Sequence, residues 1–241
     1  APDSTPRPGT VHAVARCREL GLDALEIAWV HSVTIGQAGA GNVRAAAERH
    51  RVRLSVHAPY YINLNSADPE KRQASRRRAL AAARAADWCG ARDVVLHLGY
   101  SHGEEPAVVF DRMVEGLALV LREMEDEGIA VTLRPENMGR RAQFGDLSEI
   151  LGLCRELPAL APCIDIAHLH ARTGAWNSRP EFHALWDAVG DALGQEALAR
   201  AHVHISGIEF ASGGERRHRP LGESDLDYVG FLEVMAQRGV A

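Results

Sequence analysis

The sequence predicts an α/β fold, a (β/α)8 TIM barrel without its first and last strands, and three observations carry that prediction. Short β-branched runs alternate with longer amphipathic stretches, and the unit recurs about every 30–40 residues, which implies a parallel sheet. Residues able to bind metals stand at the carboxyl ends of successive predicted strands, the rim at which barrels of this kind build their sites. No G-x-G-x-x-G and no P-loop follows any strand, which removes the usual nucleotide-binding reading of an open, doubly wound sheet.

In chain order, strands are predicted at Ala24–Trp29, Leu54–His57, Asp93–His97, Val131–Glu136, Pro162–Asp165 and Ala201–Ser206. Amphipathic stretches at Thr10–Leu20, Gly41–His50, Ala74–Trp88, Pro106–Glu127, Leu147–Leu157, Pro180–Leu193 and Tyr228–Gln237 are the predicted helices. Asp68-Pro69-Glu70 reads as a cap, a proline at the first helical position and a first-turn acid. Gly21, Gly90, Gly128 and Gly239 each sit where a helix should stop. The pattern begins and ends on a helix, so it is one strand short at each end of an eight-fold barrel. No linker, low-complexity tract or long charge run divides it, and residues 1–241 are expected to form a single domain.

The composition is that of an ordinary globular chain, 46% hydrophobic and 24% charged. No run is long and apolar enough to span a membrane. The polar, proline-rich start, Ala1 to Gly9, is not read as a signal peptide, although the chain lacks an initiator methionine. Cys17, Cys89, Cys154 and Cys163 are scattered without a C-x-x-C pair, which argues against a zinc ribbon or disulfide scaffold and suits the cytoplasm. A net charge of −5 makes no general case for nucleic acid. Bound divalent cations would reverse the field locally, so whole-chain charge does not decide the partner.

The chemistry lies at the strand ends. His57 closes LSVH, His97 closes VVLH, Glu136 closes VTLRPE, Asp165 closes PCID, and His204 sits in HVHIS. A lone strand histidine is more often a hydrogen-bonded core residue, and either carboxylate alone could be a rim ion pair. Five such side chains on five successive strands at one end fit a metal cluster better. Imidazole with carboxylate suits zinc, with manganese as the alternative, and is too nitrogen-rich for a calcium or magnesium cage. Glu136, in the middle of the series, is the expected bridging carboxylate and the residue on which catalysis depends. His12, His31, His50 and His183 read as surface residues, and His102 and His170 as loop residues of open role. His202, two residues before His204, shares its strand face and is either a neighbour of the ligands or an alternate ligand. Such a centre points to hydrolysis or isomerisation.

Six segments in order resemble those of endonuclease IV, the zinc-dependent apurinic/apyrimidinic endonuclease family. They are HAPYYINLNS (from His57), VVLHLG, RPENMG, CIDIAHLHARTG, HVHISG and GERRHRPLGES. The resemblance covers most of the chain and implies a trinuclear zinc site on a TIM barrel. His57, His97 and Glu136 would hold one ion, Glu136, Asp165 and His204 a second, and His168 with His218 a third. Tyr60, Tyr61 and Asn63 match the segment that the family uses to penetrate DNA at the lesion. The implied partner is DNA containing abasic sites, cut on the 5′ side of the lesion by a monomeric enzyme.

The sequence departs from this pattern at three places. Arg216 stands where the family has an aspartate two residues before the histidine matched by His218; either the adjacent Glu215 replaces that ligand through a shifted loop or the third site is weakened or absent. Ser206 and Gly207 replace an asparagine and an aspartate, and the last family ligand would lie on a strand beyond Ala241. Arg216 and Arg217, in a predicted Gly-rich loop, are read either as clamps on DNA phosphates or as a solvated loop. Arg76, Arg77 and Arg78 read as a solvated helix face. Two alternatives stand beside the endonuclease: a metal-dependent sugar isomerase or epimerase on the same barrel, and a non-catalytic metal- or DNA-binding relative.

Overall fold

Helix α1 (Thr10–Glu19), strand β1 (Ala24–Ala28), helix α2 (Gln37–His50), strand β2 (Arg53–His57), helix α3 (Pro69–Cys89) and strand β3 (Asp93–Leu96) follow one another in the order the alternation predicts. The computed structural model of the chain describes residue 2 and residues 4–240. These residues fall into two compact units. The first holds the chain up to Leu96 together with Gly116–Leu133, and the second holds His97–Glu115 and the chain from Arg134 onward. Helix α4 (Pro106–Asp126) and strand β4 (Thr132–Pro135) contribute to both.

In the first unit β1 and β2 pair in parallel, Ala24 opposite Arg53 through Ala28 opposite His57, and β2 pairs with β3 from Ser55–Asp93 to His57–Val95. Val56, Val94, Val95 and Leu96 are fully buried. Against them lies an alanine-rich face of α3 (Ala79, Ala82, Ala83, Ala85, Ala86), whose small side chains let the helix approach the sheet closely. Asp68 caps α3 as expected, its carboxylate accepting from the Glu70 N–H. Two predicted starts were too late: α2 begins at Gln37 and α3 at Pro69. In α2, Gly39 and Gly41 weaken the helical signal without ending it.

The second unit continues with α5 (Leu147–Glu156), β5 (Cys163–Asp165), α6 (Ile166–Thr173), α7 (Arg179–Leu193), β6 (His202–His204), β7 (Gly207–Ala211), β8 (Gly214–Arg219) and α8 (Tyr228–Arg238). Helix α5 starts on a full capping box, with Asp146 accepting from the Glu149 N–H and Glu149 reaching back to the Asp146 N–H. β5 and β6 are parallel, pairing Cys163 with His202, Ile164 with Val203 and Asp165 with His204. Trp186, Phe182 and Phe231 fill the core. The Phe182 and Phe231 rings meet edge-on at 5.2 Å, and Trp186 stacks on Phe231 at 5.9 Å.

All six predicted strands are present, and the described residues add two strands, one α-helix and two short 3-10 helices (Gln195–Arg200 and Leu221–Glu223) that the sequence pattern does not announce. Helix α6 was missed because it starts immediately after β5, with no turn residue between. The RRHR segment is a strand, β8, of an antiparallel hairpin with β7; it is not a Gly-rich loop. Its four polar residues hide the strand, although Gly213-Gly214 between two extended runs is a hairpin signal. Among the described residues no helix is long and apolar enough to cross a membrane.

Urea denaturation should place Phe231→Ala about 3–5 kcal/mol below the parent. Trp186→Phe should cost less than about 1.5 kcal/mol, because it keeps the aromatic packing and removes a buried indole N–H that has no partner. Equal costs for the two would contradict this account of the core.

Candidate metal centre

The second unit gathers its candidate ligands from strand ends and from the hairpin. Glu136 directly follows β4 and is 2% exposed. One of its carboxylate oxygens lies 2.8 Å from His97 Nε2 and the other 2.7 Å from His204 Nδ1. Asp165 ends β5, is 3% exposed, and caps α6 by accepting from the His168 N–H at 2.8 Å. The capping bond fixes one carboxylate oxygen, while the other lies 3.6 Å from His168 Nδ1. Ligand atoms of Glu136, Asp165 and His204 fall within 4.8 Å of one another.

Asn137, which the sequence reading did not single out, holds this arrangement in place. Its side-chain amide donates to the Asp165 carbonyl and its side-chain oxygen accepts from the Asp165 N–H, both at 2.8 Å. Its backbone carbonyl accepts from His168 Nδ1 at 2.9 Å. That bond consumes the Nδ1 proton and leaves Nε2 as the lone-pair nitrogen, the usual way a ligating imidazole is oriented. The available signal was position: Asn137 directly follows Glu136, the expected bridging carboxylate, in RPENMG.

His168 Nε2 points toward the hairpin, where Glu215 lies 3.6 Å away and in turn lies 3.8 Å from His218 Nε2. His168, Glu215 and His218 also have ligand atoms within 4.8 Å of each other. Here the structure resolves the Arg216 departure. β7 and β8 pair Glu209 with Arg217 but Phe210 with Glu215, so Arg216 is the extra residue of a bulge. A regular strand would send residues three apart to opposite faces; the bulge resets the alternation and turns Glu215 and His218 the same way. Arg216 is exposed.

Two glycines permit the close approach. A side chain at Gly139 would come within 2.7 Å of the Glu215 Cβ and 3.1 Å of the His168 ring. One at Gly214 would collide with the Gly139 carbonyl, and Gly214 has φ +94°. The Glu215 N–H donates to that same carbonyl at 3.1 Å, strapping the hairpin to the segment after Glu136.

Electrostatics favour a cation here. Burial pushes the Asp165 carboxyl up from its ordinary range; the His168 ring opposes this and Glu136 reinforces it. For His168, burial alone would lower the ring, but Asp165, Glu136 and Glu215 together outweigh it and raise it. Buried carboxylates side by side cost several kcal/mol unless positive charge compensates them. The residues therefore fit a divalent ion: two buried carboxylates with imidazoles, mixed oxygen and nitrogen donors of the kind zinc and manganese take.

In the first unit, His57 ends β2, is buried, and its Nδ1 lies 2.9 Å from the Ala58 carbonyl oxygen, again leaving Nε2 for a ligand role. Tyr60 and Tyr61 follow it, 49% and 59% exposed. Tyr61 stacks on His31, and its carbonyl accepts from Arg78, so two residues read as plain surface support this loop. The Asn63 side-chain oxygen accepts from the Asn65 N–H, and the Asn63 N–H donates to Ser75, which makes Asn63 a brace of the loop. In the second unit, Arg217 is paired with Glu209 across the hairpin at 2.8–2.9 Å, so part of its charge is already satisfied.

The family model described as a xylose isomerase-like TIM barrel matches residues 14–241. An uncharacterized protein of Methanocaldococcus jannaschii is 38% identical over 92% of this chain and 81% of its own length. A probable endonuclease 4 of Shouchella clausii is 26% identical over 76% of this chain, which spans 64% of that protein. Among solved structures, endonuclease IV from Thermus thermophilus superposes with a TM-score of 0.75 at 23% identity, over 94% of this chain and 82% of that one. A D-tagatose 3-epimerase-like protein does so at 0.69 and 20%, over 93% and 81%. These structural likenesses establish the fold, a TIM barrel, as the alternation predicted. The motif resemblance to endonuclease IV agrees with a curated relative and a solved structure of that name. The chain belongs to the xylose isomerase-like TIM barrel family.

Proposed function

We propose that this chain is a metal-dependent phosphodiesterase, an endonuclease that cuts DNA on the 5′ side of abasic sites. The observation that carries the reading is the pair of ligand sets in the second unit. Glu136, Asp165 and His204 form one; His168, Glu215 and His218 form another. A sugar epimerase needs only one such set, and phosphoryl chemistry uses two or more ions in concert. Zinc, or manganese, held by these residues would supply Lewis acidity toward phosphate oxygens and acidify a water nucleophile.

The chain's own residues supply the rest. Glu136 presents two oxygens to opposite imidazoles and is the natural bridge between ions. Asn137 fixes Asp165 and the tautomer of His168, so the ligands need little reorganisation. Tyr60 and Tyr61 offer exposed aromatic faces for stacking on bases beside a lesion. An abasic nucleotide has no base to unpair or unstack, so extruding it costs least, which gives selectivity. Arg216, exposed on the bulge, is placed in this reading to meet a phosphate. His57 enters as the buried histidine that closes β2, with Nδ1 beside the Ala58 carbonyl and Nε2 left for a ligand role. In the same reading the 241 residues act as one domain and as a monomer in the cytoplasm.

The second reading, a sugar epimerase, draws on the epimerase-like neighbour and on Glu136, Asp165 and His204, which would suffice for it. The Arg216 substitution motivated a third, non-catalytic reading, but Glu215 supplies the carboxylate whose loss suggested it.

Full-length protein loaded with zinc should nick an abasic duplex on the 5′ side, and EDTA should abolish this. No nicking with zinc, manganese or cobalt, together with turnover of a ketohexose, would move the chain to the epimerase reading. Glu136→Gln should lower the nicking rate by at least about 10²–10³-fold, more than Arg216→Ala; the reverse ranking would show the centre misplaced. Elemental analysis of Glu215→Ala should find less zinc per chain than in the parent, and Asn137→Ala should weaken zinc binding about 10–100-fold. Unchanged content and affinity in both would refute the roles given to these residues.

A further inference from the structure

The parallel register of β5 and β6 places Cys163 opposite His202 and Asp165 opposite His204. Side chains two apart on a strand share a face, so Cys163 lies behind Asp165 and His202 behind His204 on the same side of the pair. The imidazoles of His202 and His204 meet edge-on, with centroids 5.3 Å apart and planes at 71°. Ligand atoms of Cys163, His202 and His204 fall within 4.8 Å of one another. Tetrahedral zinc with bonds of about 2.0–2.3 Å sets its donors about 3.3–3.8 Å apart, so side-chain shifts of about an ångström would complete the set.

We infer that Cys163, His202 and His204 form a further metal site, selective for thiophilic divalent cations such as zinc, cadmium or cobalt, which competes with the carboxylate centre for His204. One thiolate and two imidazoles make a softer donor set than Glu136, Asp165 and His204, so the two sites prefer different ions. The orientation of His204 supports the inference. Its Nδ1 faces a Glu136 oxygen at 2.7 Å, and an Nδ1–H donated there leaves Nε2 as the lone pair. That is the carboxylate–histidine–metal relay by which ligating imidazoles are commonly held. Cys163 is fully buried while His202 and His204 are half-buried, so an ion would enter from the histidine side. Binding releases the thiol proton to solvent and leaves a fourth position for water. Because a neutral imidazole offers one lone pair, an ion in the thiolate site takes His204 from the carboxylate centre and lowers the affinity of that centre.

Titration of the metal-stripped full chain with cobalt(II) tests this without reference to activity. The expected result is a near-ultraviolet thiolate-to-cobalt charge-transfer band. It should be lost in Cys163→Ser, require about 10-fold more cobalt or greater in His202→Ala, and persist in Asp165→Asn and Cys154→Ser. Cys154 is a suitable control, since burial pushes its thiol up to about 12. Circular dichroism checks that each variant is folded, and His202→Ala decides the matter if Cys163→Ser does not fold. Absence of the band in the parent, its survival in Cys163→Ser, or an unshifted titration in His202→Ala would overturn the inference.

Discussion

Glu136 is a carboxylate buried to 2% exposure, beside a second carboxylate, Asp165, at 3%, and the organisation of the second unit follows from holding that charge. Each Glu136 oxygen meets its own imidazole, from His97 on one side and His204 on the other. Asp165 spends one oxygen on the start of α6 and turns the other toward His168. Asn137 grips the Asp165 peptide from both directions. A hydrophobic isostere would be cheaper to bury than this constellation, so its presence argues for a cation-dependent task. The capping and clamping bonds fix ligand directions before any ion arrives, which lowers the reorganisation that binding would need.

The hairpin shows how a fold can keep a carboxylate beside two imidazoles while its sequence changes register. Arg216 stands at the position from which the family pattern would present an aspartate, yet the carboxylate is not lost. A bulge absorbs Arg216 and turns Glu215 inward three residues before His218. Gly139 and Gly214 leave room for this, because a side chain at either would strike the hairpin or the segment it is strapped to. The same bulge carries Arg216 outward, so a single extra residue separates an inward acid from an outward base.

How much of this was legible in the sequence divides along physical lines. The strand-end positions of His57, His97, Glu136 and Asp165 were legible because β-branched runs announce strands and these residues sit where the runs stop. His204 was found for the same reason, one residue beyond Val203. Helix α6 was not, because Asp165 is at once the last residue of a strand and the cap of the next helix, leaving no turn to signal a boundary. The hairpin was hidden because RRHR reads as a solvated run, and strand pairing is a non-local property. The bulge was hidden for the same reason: parity within β8 depends on its register against β7. Asn137 was passed over because an amide beside a ligand carries no spacing signal; its role exists only once Asp165 is brought to it.

The central claim is that these carboxylates and imidazoles are a metal centre and not a hydrogen-bonded core. Anomalous scattering at the zinc edge, from crystals of the full chain grown with zinc, tests it most directly. The account predicts one peak in bonding range of Glu136, Asp165 and His204 and another in range of His168, Glu215 and His218. No peak at either place, with Glu136 still bonded to His97 and His204, would contradict it.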